Sequence, residues 1–526
     1  MPLIRLCRRD HRSRPTMQFQ RASGVLAHIT SLPGAHGSGD LGPAAFHFVD
    51  WLQSGGQTLW QFLPLGGIGQ GHSPYMGSSA FAGNVLLIDL AELHQRGWLE
   101  AHDLVPTEGM QDRAINFPQV IDFRMARLAR ANACFQVMAS PEEHADLAYF
   151  SEQHLPWLED YSLFMALAEH FRARQWTDWD TPLAQRDPQA LAVAVQIHAA
   201  RIDFWKFCQW CFFRQWRRLR LYANARGVRL VGDVPIFVAQ ESADVWARRE
   251  LFELDPDGRP IVVAGVPPDA FTDTGQRWGN PLYRWSAHEQ ENFAWWISRV
   301  RHVFEMVDIA RIDHFRGFES CWEIPATEPT AIRGRWAAAP GDALFTAIAH
   351  ALGPLPIIAE DLGVITAEVT ALRKKHGFPG MRVLQFGWGA DQFGDAHHLP
   401  HTYEPGAVVY PGTHDNDTAL GWWNAAPDAV RHHVRDYLAF DGSDVSWAFI
   451  RAACASVAGL AIYPLQDVLR LSGEHRMNKP GTPAGNWRWR FMWADVDPGH
   501  AALLKQLSRL YGRLPQDTAA SGKITG

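Results

Sequence analysis

The sequence predicts an α/β protein, a (β/α)8 TIM barrel with inserted, largely helical and loop-rich subdomains at its C-terminal face. Three observations predict it. Eight short apolar, β-branched runs are spread along the chain, helical periodicity lies between several of them, and acidic residues stand where three of the runs end.

The runs, in order, are GVLAHIT (24–30), TLWQFLPL (58–65), VRLVGDVPIFV (228–238), MVDIARIDH (306–314), LPIIAEDLG (355–363), MRVLQFGW (381–388), AVVYPGTHD (407–415) and LAIYPLQDV (460–468). Near-continuous hydrophobic runs suit strands buried on both faces, as in a parallel sheet. Stretches such as TAEVTALRKKHG (366–377) and DAVRHHVRDYLAF (428–440) have helical spacing. A doubly wound open sheet is the alternative architecture, but no GxGxxG follows a first strand.

Strand spacing is uneven. The interval between the second and third runs carries helical sequence, EDYSLFMALAEHFRARQW and a long helix ending near Ala225, while roughly 239 to 305 reads as loop-rich. The expected organisation is a single catalytic barrel over 21–515 with insertions at approximately 73–225 and 239–305. A disordered extension (1–20) and a C-terminal tail (516–526) flank it. Met17 follows the arginine-rich opening and reads as an alternative start; a transit peptide is the other reading of that segment.

Of 526 residues, 47% are hydrophobic and 20% charged, enough apolar material for a sizeable core. A net charge of -7 favours neither nucleic acid nor an anionic membrane, and no apolar run is long enough to span a bilayer. Cys208 and Cys211 form a CxxC inside an apolar-periodic helix, so they read as packing, and reduced thiols fit a cytoplasmic protein. The 23 tryptophans exceed what a core needs and hint at sugar stacking, although core packing accounts for most of them.

Chemistry is expected where strands end. The fourth run ends on Asp313, the fifth on Glu360, and the seventh runs into His414 and Asp415. Arg311 shares a strand face with Asp313 by the period-2 rule, and its guanidinium favours the ionised carboxylate a nucleophile requires. Glu360 follows LPIIA, an apolar setting that raises a carboxyl pKa and suits a proton donor. Two carboxyls pushed in opposite directions are the requirement of retaining glycoside cleavage. His414 and Asp415 are read as holding the hydroxyls of the reacting sugar. Taken singly, each of these residues has a plainer reading as an ion pair, a helix cap or a turn. Every group the chemistry needs is a side chain, so no cofactor and no metal are expected.

SGVLAHITSLPGAHGSGDLG, LWQFLPLG with SPYMGSSAFAGN, GDVPIFVA, VAGVPPDAFTDTGQRWGNPLYRW and MNKPGTPAGNWRWR resemble glycoside hydrolase family 77, the 4-α-glucanotransferases or amylomaltases. The resemblance runs from about Ser23 to about Arg490. It implies transfer of a glucosyl segment from one α-1,4-glucan to the 4-hydroxyl of another, by double displacement without a cofactor. It also implies Asp313 as nucleophile, Glu360 as acid/base and Asp415 as transition-state stabiliser. Arg311, His314 and His414 would line the donor site, supported by Asp233. Tyr75 and Trp278 would be aromatic platforms, and Asn478 and Asn486 would come from a closing loop. Maltooligosaccharides, starch and glycogen would be donors and acceptors. The chain departs from the pattern at Met76, where a glutamine is common. An α-amylase-type hydrolase is the rival, but GDVPIFV lacks the Asn-His pair usual at that strand in those enzymes, and no calcium loop is evident. A non-catalytic glucan-binding barrel would have lost one of the three acids, and all three are present.

Overall fold

The computed structural model describes residues 19–268, 272–389 and 395–515. The expected N-terminal extension, apart from Phe19 and Gln20, and the C-terminal tail lie outside the described residues.

Each of the eight predicted runs contributes a strand, shorter than the run itself. They are β1 (Ala22–Leu26), β2 (Leu59–Gln61), β3 (Arg229–Val234), β6 (Ile309–Ile312), β9 (Ile357–Ala359), β10 (Met381–Val383), β11 (Val408–Tyr410) and β12 (Leu460–Pro464). All pair in parallel, in the order β10-β11-β12-β1-β2-β3-β6-β9. A parallel bridge between Ala359 and Gly380 joins the two ends and closes the barrel. Gly24 lets β1 lie tight on β2, because a Cβ there would meet the Leu59 carbonyl oxygen at 2.3 Å. Arg513, fully buried, donates to the Ala22 and Gly459 carbonyls at 2.8 and 3.1 Å and ties the chain's end to the β1–β12 seam.

The helical readings hold. Thr366 caps Ala367–Lys375 by accepting from the Val369 amide, and a second helix covers Asp428–Leu438. The CxxC lies on the helix Ala199–Ala225 with both thiols buried. That helix joins the first insertion to the barrel: Trp216 donates to the Met306 carbonyl at 3.0 Å and Arg220 pairs with Asp308 at 2.9 Å. The stretch EDYSLFMALAEHFRARQW is helical only as far as His170, since Arg172 and Ala173 take φ of 53° and 56°. Core packing does absorb many tryptophans, with Trp60, Trp98, Trp176, Trp216, Trp246 and Trp296 fully buried.

One element escaped the sequence reading. The loop-rich interval contains β4 (Val262–Val266) and β5 (Gln276–Pro281), which join β7 (Ser320–Pro325) and β8 (Arg335–Ala338) in an antiparallel sheet of order β5-β4-β7-β8. Glycine and proline within β4 and β5 mask the strand pattern. The partner β7 comes only after barrel strand β6, so local sequence could not announce the pairing.

Candidate active site

Three barrel strands deliver the carboxylates to the same rim. Asp313 is the residue after β6, Glu360 the residue after β9, and Asp415 follows β11 in a short turn. Asp313 continues its strand's ladder, donating its amide to the Val234 carbonyl at 3.0 Å. His314 then turns into the left-handed region at φ 50°, ψ 47°. A non-glycine residue there stores strain, and such strain clusters at functional sites. The turn aims the His314 amide at Glu360 Oε2, 2.7 Å away.

Glu360 is almost fully buried. Its second oxygen accepts from the Leu362 amide at 2.9 Å, and two such bonds by themselves would favour the carboxylate. Burial outweighs them, and the charge of Asp313 adds to it, so the Glu360 carboxyl is pushed up to about 8. It is a protonated acid at neutral pH.

Arg311 and Asp233 are direct neighbours in the β3–β6 register and share the barrel interior. Arg311 Nη1 lies 2.7 Å from each Asp233 oxygen and 3.0 Å from Asp313 Oδ1. Burial pushes the Asp233 carboxyl up, and the guanidinium against it works the other way. Tyr75 Oη donates to Asp233 Oδ2 at 2.8 Å and meets His414 Nε2 at 2.8 Å. A phenol has one proton; with that proton on Asp233, His414 Nε2 carries the hydrogen of the second bond. The same nitrogen is 3.4 Å from Asp415 Oδ2. One polar chain therefore links Asp415, His414, Tyr75, Asp233, Arg311 and Asp313.

Asn478 Nδ2 donates to Asp415 Oδ1 at 2.6 Å, and its amide reaches the His414 carbonyl at 3.1 Å. Trp278 stands edge-on to the His314 ring at 4.8 Å, and burial lowers the His314 imidazole to about 4, so it is neutral. Asn486 is placed differently: it accepts from the Lys479 amide at 2.9 Å and donates to the Thr482 carbonyl at 3.1 Å, bracing its own loop. Met76, at the position that departs from the family pattern, receives the Asn280 amide on its sulfur at 3.5 Å.

Three neighbours were not singled out from sequence. Arg476 donates to the Asp415 carbonyl at 2.7 Å. Trp487 tilts against Tyr75 and His414 at 5.7 and 6.1 Å. His28, just past β1, is buried and held neutral, its imidazole lowered to about 3 by burial and by His414. Trp487 lay inside the quoted MNKPGTPAGNWRWR motif. His28 had no local signal, because its neighbour His414 is far away in the chain.

An acid held protonated beside a carboxylate held by arginine is what displacement at an acetal carbon needs. Fold and site together define a (β/α)8 enzyme of glycoside chemistry. The profile of the family described as 4-alpha-glucanotransferase matches residues 27–495. A 4-alpha-glucanotransferase of Thermus thermophilus is 48% identical over 506 residues, spanning 95% of this chain and all of the relative. The chloroplastic/amyloplastic 4-alpha-glucanotransferase of Solanum tuberosum is 43% identical, covering 94% of this chain and 87% of its own. Among solved structures, amylomaltase from Streptococcus agalactiae in complex with acarbose superposes with a TM-score of 0.91 at 38% identity, covering 94% of this chain and all of that one. The chain belongs to the 4-α-glucanotransferase family.

Proposed function

We propose that this 4-α-glucanotransferase works by double displacement on α-1,4-glucans, with Asp313 as nucleophile, Glu360 as acid/base and Asp415 as the group that grips the sugar as its ring flattens. Glu360 gives its proton to the glycosidic oxygen while Asp313 attacks the anomeric carbon, forming a covalent β-glycosyl-enzyme. The carboxylate left on Glu360 then takes the proton from the 4-hydroxyl of an acceptor glucan, and the α-1,4 bond is remade on Asp313's departure. Arg311 pairs with Asp313 at 3.0 Å and holds its carboxyl at the rim. His314, His414 and Asp233 shape the donor site, while Trp278 and the rings of Tyr75 and Trp487 offer apolar faces to sugar. Asn478 holds Asp415, and Asn486 holds the loop that carries Asn478.

The observation that carries this reading is Glu360, a buried carboxyl at about 8 beside the arginine-bound Asp313. The complex of the Streptococcus amylomaltase with acarbose supports a saccharide as the ligand class. Maltooligosaccharides, starch and glycogen are the proposed donors and acceptors. The cytoplasm is the proposed compartment, supported by the free thiols of Cys134, Cys208, Cys211, Cys321 and Cys454. Among the described residues no helix is long and apolar enough to cross a membrane.

Incubation with maltotriose alone tests the function. Transfer conserves the number of glycosidic bonds, so chromatography should show glucose together with maltotetraose and longer chains at a constant count of reducing ends. Glucose and maltose alone, with reducing ends rising, would identify a hydrolase.

A further inference from the structure

Away from the site, the helix Ala294–Met306 that leads into β6 carries His302 and Glu305 one turn apart, and the start of the insertion helix Leu155–His170 brings His154 against them. A nitrogen of each imidazole and a Glu305 oxygen all lie within 4.8 Å of one another. The proposed mechanism uses none of the three.

Nε2 of His302 lies 2.8 Å from the Phe81 carbonyl, which can only accept, so Nε2 carries a hydrogen. Nδ1 faces Glu305 Oε2 at 3.7 Å. A ring nitrogen and a carboxylate oxygen turned toward each other need a proton or a cation between them. A carbonyl behind the non-ligating nitrogen is the support that metal-bound histidines have. His154 stands edge-on to His302, with ring centroids 6.1 Å apart. Phe81, Trp157 and Phe213 pack around His302 and bury it, while Glu305 faces solvent.

The geometry points to a divalent-metal site made by His154, His302 and Glu305, fitted to Zn²⁺ or a neighbouring late first-row ion, with a fourth position open to water. Ligand atoms on tetrahedral zinc sit about 3.3 Å apart, so the cluster has to contract by up to about 1.5 Å. Glu305, whose side chain is 55% exposed, is free to supply that movement. The metal would fasten the first insertion to the barrel helix that precedes Arg311 and Asp313. His154 Nδ1 now accepts from Trp157 Nε1 at 3.3 Å. Binding through Nδ1 displaces that donor, and binding through Nε2 moves the ring proton to Nδ1 and turns the donor away. Trp157 therefore reports occupancy by either route.

The test is calorimetric titration of the full chain, stripped by a chelator, with zinc chloride. One Zn²⁺ per chain should bind with a rise in Tm, more weakly as pH falls through the imidazole range. Glu305→Gln, a change at an exposed side chain, should weaken binding about tenfold or more, and His154→Ala should abolish it. Both variants should keep the wild-type rate on maltotriose. Co²⁺ should give the visible absorption of a low-coordinate nitrogen and oxygen site, and Cu²⁺ should quench fluorescence that Trp157→Phe removes. No zinc binding, or binding and absorption that survive both substitutions, would overturn the proposal and leave His302 and Glu305 as a protonated ion pair.

Discussion

Arg311 Nη1 stands between two carboxylates, 2.7 Å from Asp233 Oδ1 and 3.0 Å from Asp313 Oδ1. The first is sealed within the barrel and the second is 28% exposed at its mouth. A single buried cation thus joins an anchoring acid to the acid proposed to attack substrate. Arg311→Lys keeps the charge but loses the planar fork, and a buried lysine sheds its proton far more readily. Its kcat should fall by about 100-fold or more with far-UV circular dichroism unchanged. A variant with near-wild-type kcat would show that position to need only charge.

The alkaline limb of kcat/KM should reflect Glu360. Burial, then the charge of Asp313, raise its carboxyl to about 8, so the protonated form that serves as acid persists through neutrality and is lost as pH rises past that value. Because the two carboxyls interact, the limb belongs to the pair. A profile on maltotriose that is flat through pH 8 and beyond would contradict the assignment.

The two carboxylate roles separate with α-glucosyl fluoride, whose leaving group needs little protonation. Asp313→Ala should lose several orders of magnitude with any donor. Glu360→Gln should still form the glycosyl-enzyme and then, lacking a base, accumulate it, so that mass spectrometry finds the label on Asp313. Label on Glu360, or inverted products, would reverse the roles.

Tyr75→Phe distinguishes two uses of one residue. The ring faces His414 at 5.5 Å and 18°, while the hydroxyl bridges Asp233 and His414. Phenylalanine keeps the platform and removes the bridge, leaving buried groups short of a partner at a cost of about 1–3 kcal/mol. A fall of about tenfold in kcat/KM is expected, and an unchanged value would confine Tyr75 to stacking.

Asn478→Ala removes the 2.6 Å hydrogen bond that orients Asp415. A bond to a charged group contributes about 1.5–3 kcal/mol, so kcat should drop between about tenfold and a hundredfold. Asp415→Asn should cost more and leave the labelled residue unchanged, and combining both changes should add little, since each acts through the same carboxyl.

The sequence by itself determined the barrel and the acids on its rim. A strand buried on both faces has to be written as an apolar run, and an acid on a barrel rim comes directly after such a run, as Asp313 and Glu360 do after β6 and β9. Period two was enough to put Arg311 and Asp313 on one face. Tertiary structure alone decided which groups meet across the chain. Asp233 reaches Arg311 through the β3–β6 register, Tyr75 joins Asp233 to His414 over sequence separations of 158 and 339, and His154 meets His302 only because an inserted helix folds back on the barrel. The same holds for the antiparallel sheet, whose β4 and β7 are separated by a barrel strand. It holds too for Asn486, whose side-chain partners within its loop are the Lys479 amide and the Thr482 carbonyl. Local spacing encodes which face a side chain takes; which partner stands opposite is set by chain closure and packing, which no short window of sequence contains.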